Sequence, residues 1–138
     1  MKLRIQGNSI RFRVTQSEMA ALAAGGRLEE SVQFGPAPSE ILTYAVETSS
    51  ECSDVHASYS DPKGIIQVTL PADLVRIWAT TGQVGIEHSQ PITRGAALKI
   101  TLEKDFHCLH PGLGEDEGDN FPNPGDFSGG RKVATPGQ

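Results

Sequence analysis

Lys2, Arg4, Arg11 and Arg13 crowd the first thirteen residues, and that stretch contains no acid. They alternate with Leu3, Ile5, Ile10, Phe12 and Val14. In extended chain, successive side chains point to opposite faces, so the four cations share one polar face while the apolar residues share the other. Guanidinium groups present a planar fork of donors that matches phosphate and carboxylate oxygens. The chemistry expected here is anion binding, with Gln67, Thr69, Lys99 and Thr101 extending the same face.

Three other groups carry potential chemistry. Imidazole and thiolate are zinc ligands, which singles out His107, Cys108 and His110. Their spacing matches no standard zinc motif, so no metal and no cofactor is expected. Glu115-Asp116-Glu117-Gly118-Asp119 offers hard oxygen ligands but lacks the alternating acids and final bidentate Glu of a calcium loop. Its expected role is electrostatic: Glu115, Asp116 or Asp119 pairs with an arginine of the basic face, and Phe121 anchors the segment in an apolar groove. Glu47 and Glu103 end corresponding strands. If they approached each other, they would form a carboxylate pair able to do acid–base work; pairing with arginine or lysine, for which Lys104 and Arg13 are available, is the simpler expectation. No phosphate loop, nucleophile elbow or triad order is present.

The elements that position these residues are legible from periodicity. Residues 2–6 and 9–14 alternate around Gly7-Asn8, a hairpin signal with glycine at its first central place. Thr15-Gln16-Ser17-Glu18 is a capping box for a short helix with Met19, Leu22 and Ala23 on its apolar stripe, closed at Gly25-Gly26. Strands are expected over 28–34 and 41–47. The second half repeats this plan: strands over 55–59 and 66–70, a type I turn at Asp61-Pro62-Lys63-Gly64, and Pro71 at a first helical position. A helix with Leu74, Ile77 and Trp78 follows, and then strands over 84–88 and 97–103. A shift of 56 residues brings Ile10, Phe12 and Val14 onto Ile66, Val68 and Leu70, Leu22 onto Trp78, and Glu47 onto Glu103. Identity is only about five positions in forty, so the pattern carries the case for an internal repeat.

The expected fold is α+β: about eight mostly antiparallel strands in one curved sheet or open barrel, with two short helices. The unit strand-strand-helix-strand-strand occurs twice, over about 1–50 and 51–110. Residues 1–124 form one domain ending in an acidic docking segment, 111–124. Residues 125–138 are too poor in apolar side chains to order and form a tail.

The chain has 138 residues, a formal charge of −5 and 37% hydrophobic content. That length suits about one domain. The acidic balance argues against a nucleic-acid partner, which needs a basic stripe to neutralise phosphates. No apolar run approaches the ~20 residues that span a bilayer, and the N-terminus has no signal-peptide pattern. The expected location is cytoplasmic, with Cys52 and Cys108 as thiols.

The run Met1-Lys2-Leu3-Arg4-Ile5-Gln6-Gly7-Asn8-Ser9-Ile10-Arg11-Phe12-Arg13 resembles an uncharacterised bacterial family of unknown function. So do Glu103-Lys104-Asp105-Phe106-His107-Cys108-Leu109 and Phe121-Pro122-Asn123-Pro124. The resemblance brings no activity. It implies that the acidic segment, up to about Pro124, belongs to the domain. The best functional reading is a small cytoplasmic binding or interaction module with a basic sheet face, its partner a small anion or a protein. The alternative is an enzyme acting on a small anionic or phosphorylated substrate.

Overall fold

Strands β1 (Lys2–Gln6) and β2 (Ser9–Val14) form an antiparallel hairpin that pairs Leu3 with Phe12 and Ile5 with Ile10. Gly7 turns it with φ of +57°, the backbone that a first-position glycine supplies without steric cost. Helix α1 (Gln16–Ala23) follows, and its capping box forms as expected: the Glu18 N–H donates to Thr15 Oγ1, and the Thr15 N–H donates to the Glu18 carboxylate. Strands β3 (Arg27–Gln33) and β4 (Ile41–Ser49) then pair antiparallel. This account is of a computed structural model that describes residues 1–106 of the chain. The chain divides into two units, Met1–Asp105 and Phe106–Gln138, and the architecture given is that of the first.

The second half has the same element order. Strands β5 (His56–Ser60) and β6 (Ile65–Pro71) form a hairpin, α2 (Ala72–Thr80) follows, and β7 (Gly85–Thr93) pairs with β8 (Ala96–Lys104). Residues 61–64 form the turn between β5 and β6, with the Asp61–Pro62 bond cis and Gly64 at φ of +66°. Pro71 ends β6 and caps α2 from outside instead of occupying the first helical position.

The eight strands do not form one curved sheet or a closed barrel. They form two four-stranded sheets, β1-β2-β8-β7 and β3-β4-β6-β5. Each contains two antiparallel hairpins joined by a central parallel pair, β2 with β8 and β4 with β6. Antiparallel pairing predominates, as expected. The division into two sheets follows from exchange: each half contributes its first hairpin to one sheet and its second hairpin to the other. Exchanging the two halves maps one strand order onto the other. The central register obeys the same 56-residue shift as the sequence: Ile10 pairs with Ile100, and Tyr44 pairs with Ile66. Such equivalence supports a duplicated unit.

One core lies between the sheets. Ile10, Phe12 and Val14 of β2 and Ile100 and Leu102 of β8 meet Val46 of β4 and Val68 and Leu70 of β6. Leu22 of α1 and Val75 and Trp78 of α2 complete it, all with no exposed surface. Trp78 satisfies its indole N–H by donating to the Val84 carbonyl at 3.2 Å. The Phe12 and Tyr44 rings bridge the sheets, with centroids 6.5 Å apart. The helices pack on each other and against β3, β4 and β6.

Neither gap between sheet edges is closed by a backbone ladder. Side chains stitch both. Gln90 of β7 donates to the Ala57 carbonyl and accepts from the Ala57 N–H, each at 2.8 Å, so its amide mimics a strand residue beside edge strand β5. At the other gap the Met1 ammonium donates to Glu18 and, at 3.2 Å, to Glu30 of β3. Among the described residues no helix is long and apolar enough to cross a membrane.

Candidate anion-binding face

The β1–β2 register places Lys2 opposite Arg13 and Arg4 opposite Arg11. All four lie on the outer face of the first sheet, because the residues alternating with them, Phe12 and Ile10, enter the core. The four expected cations are therefore neighbours in two cross-strand pairs. Strand neighbours two residues apart are about 6.6 Å apart, and directly opposed residues about 5 Å. The result is a compact two-by-two array. Lys2 and Arg4 are exposed, and Arg11 and Arg13 are part-exposed. From β8, Thr101 and Lys99 join this face opposite Arg11 and Ser9. Gln67 and Thr69, expected on the same surface, lie instead on the second sheet, opposite Ala45 and Glu47. The exchange of hairpins between sheets separates them, and periodicity has no access to that exchange.

Among the described residues, Glu103 and Asp105 are the carboxylates seen to pair with Lys2, Arg11 and Arg13. Glu103 of β8 lies opposite Arg13, with its carboxylate 3.3 Å from Arg13 Nε and 3.9 Å from Arg11 Nε. Asp105 lies 3.4 Å from Lys2 Nζ. Part-exposed pairs of this kind are worth about 0–1 kcal/mol each. They therefore bias the side chains without locking them. The face's own carboxylates show the ligand geometry that it accepts.

Glu47 and Glu103 do not meet. They occupy matching positions on the outer faces of different sheets, and each pairs with arginine. Glu47 accepts from Arg27 Nη1 at 2.7 Å and from Gln67 at 3.1 Å. Arg27 also reaches Glu29 at 3.0 Å and Gln67 at 2.9 Å, and these hydrogen bonds to Glu47 and Glu29 raise its already high pKa against the opposing effect of burial. The place that Arg27 holds in β3 is taken in β7 by Gly85, opposite Glu103. A Cβ there would stand 2.5 Å from the Leu102 carbonyl oxygen. With no side chain available from β7, the arginine for Glu103 comes from β2.

At the N-terminal stitch, burial alone would lower the pKa of the Met1 amine, but hydrogen bonds and charge from Glu18 and Glu30 outweigh it and raise that pKa. Burial would likewise raise the Glu18 carboxyl, yet the ammonium and the Thr15 hydrogen bonds hold it below the usual carboxylate range. Tyr44, desolvated and facing Glu30, is pushed up. His88, the β7 counterpart of Glu30, has Nδ1 3.7 Å from Asp54. Cys52 is a free thiol that donates to the Asp54 carbonyl. None of these partnerships was legible beforehand except the capping of α1 by Glu18.

Among the described residues no cluster of three or more His, Cys, Asp or Glu side chains is arranged to hold a metal ion. His107, Cys108, His110, Glu115, Asp116, Asp119 and Phe121 lie outside the described residues.

These features define an α+β protein of two exchanged four-stranded sheets, one of which presents a basic outer face. The chain belongs to a family of unknown function, DUF7009, which matches residues 1–125. No curated protein and no solved structure matches it.

Proposed function

We propose that the chain is a binding module whose first sheet takes an anionic partner on its outer face. The observation that carries this reading is the β1–β2 register, which sets Lys2 beside Arg13 and Arg4 beside Arg11 on one solvent-facing surface. Lys2 and Arg11 keep 56% and 40% of their side-chain surface in solvent, and guanidinium forks favour phosphate or carboxylate oxygens. An extended sheet face also suits a binding surface better than an enclosed reaction chamber. The partner is a small anion or an acidic protein surface, met in the cytoplasm.

The test is titration of the full chain with inorganic phosphate, pyrophosphate and a poly-glutamate peptide, followed by calorimetry and amide NMR. Binding should shift β1 and β2 amides, weaken as salt rises, and fall at least tenfold in an Arg4→Ala/Arg11→Ala variant that keeps the wild-type melting temperature. Absence of binding to all three anions at low salt overturns the reading.

A further inference from the structure

The outer face of the first sheet carries, among the described residues, the cations Lys2, Arg4, Arg11, Arg13 and Lys99 and the acids Glu87, Glu103 and Asp105. Its two-by-two array has the period of extended chain. Lys2 to Arg4 and Arg11 to Arg13 are each one step of about 6.6 Å along a strand. An extended anionic segment matches that step when its acids fall at alternate positions.

The chain leaves the described fold beside this array. Strand β8 runs parallel to β2, and the Asp105 N–H continues the ladder by donating to the Val14 carbonyl at 2.8 Å. The Asp105 carboxylate lies 3.4 Å from Lys2 Nζ, so the last strand delivers the chain to the array itself. Residues 106–114 then separate Asp105 from Glu115. Fully extended, nine residues span about 30 Å, several times the step between the cations.

The sequence that follows matches the face in charge and in period. Residues 107–125 hold Glu115, Asp116, Glu117 and Asp119 and no lysine or arginine. Glu115, Glu117 and Asp119 fall at alternate positions, so extended chain would line up these three carboxylates about 6.6 Å apart on one side. The other charges of the C-terminal stretch, Asp126, Arg131 and Lys132, lie beyond the family match, which ends at residue 125.

We propose that Glu115, Glu117 and Asp119 occupy the basic face in cis, as a built-in competitor of its anionic partner. The regulatory consequence rests on the anion-binding reading of that face. A short tether supplies a high effective concentration, while exposed ion pairs are individually weak. The segment therefore holds the face against a dilute anion of low charge and yields to a partner of higher charge density or to salt.

The experiment compares the full chain with its Glu115→Gln/Glu117→Gln/Asp119→Asn variant, which keeps the chain length. Amide NMR spectra are recorded at low and high salt, and pyrophosphate is titrated by calorimetry. The variant should shift the β1 and β2 amides before any ligand is added and should bind pyrophosphate at least fivefold tighter. High salt should bring the two free spectra together. A peptide of residues 111–124, added to the variant, should return the β1 and β2 amides toward their wild-type positions. Asp126→Asn should leave spectrum and affinity at wild-type values. Unchanged β1 and β2 amides in the triple variant, with pyrophosphate bound equally by both chains, overturn the proposal and leave the anion-binding reading standing. Shifted amides that the peptide restores, with pyrophosphate bound by neither chain, do the reverse: the segment holds the face, and the reading of a small external anion fails.

Discussion

Single residues in this protein are constrained by what their neighbours lack. Glu103 takes Arg13 as partner because β7 offers only Gly85 at the adjoining place. Gly85→Ala should cost about 1–3 kcal/mol, since a Cβ 2.5 Å from a backbone oxygen forces the two strands apart. Chemical denaturation measures this directly, and an unchanged midpoint would show that the strands yield. Trp78→Ala removes the largest fully buried side chain and should cost about 3–5 kcal/mol. Glu18 gives the chain an acid-labile contact. Its carboxyl is held below the ordinary range by the Met1 ammonium and Thr15. Its contribution is therefore complete above the unfolded carboxylate pKa and is lost as pH falls through the folded one. Glu18→Gln should flatten the acid limb of the stability profile; an acid limb identical to wild type would remove Glu18 from that account.

Among the elements, the two short helices depend on different supports. Helix α1 has a complete capping box, and Thr15→Ala should cost about 1 kcal/mol. Helix α2 has Pro71 at its cap and no side-chain hydrogen bond there. It is held by Val75 and Trp78 in the core and has Asp73 in its first turn, where a negative charge favours the helix dipole. Hydrogen exchange should therefore respond differently in the two. Loss of the Thr15 hydroxyl should speed exchange in the first turn of α1, whereas Pro71→Ala should leave the α2 amides protected. Rapid exchange through α2 in Pro71→Ala would show that the cap matters more than the packing. The edge strands show the same division of labour. The core strands β2, β4, β6 and β8 carry most of the buried residues, while β1 and β3 are mostly exposed and close their sheet edges.

For the molecule as a whole, the two sheets are joined by one core and by stitches that replace ladder hydrogen bonds. Gln90 is the most informative of these. Gln90→Leu strands the N–H and C=O of Ala57 beside apolar surface, and an unmet backbone pair costs about 1–3 kcal/mol. The loss should be accompanied by faster exchange at β5 and β7 and by little change at β2 or β8. Uniform loss of protection would show that the gap opens only with global unfolding.

The sequence by itself determined the local order of this protein. Alternation placed the strands to within a few residues, the Thr15-to-Glu18 box located α1, and the shift of 56 residues anticipated matching elements in the two halves. It also determined that Lys2, Arg4, Arg11 and Arg13 share a face, because two alternating strands joined by a tight turn leave no other register. What the tertiary structure decided was which hairpin joins which. Periodicity describes one strand at a time and carries no information about its partner across long chain separations. The exchange of hairpins put Gln67 and Thr69 on the second sheet, kept Glu47 and Glu103 apart, and supplied Asp105 and Glu103 to the basic array. It also brought Gln90 to the edge of β5. Those relations depend on burying both sheets against a single core, a requirement of the whole chain and not of any segment within it.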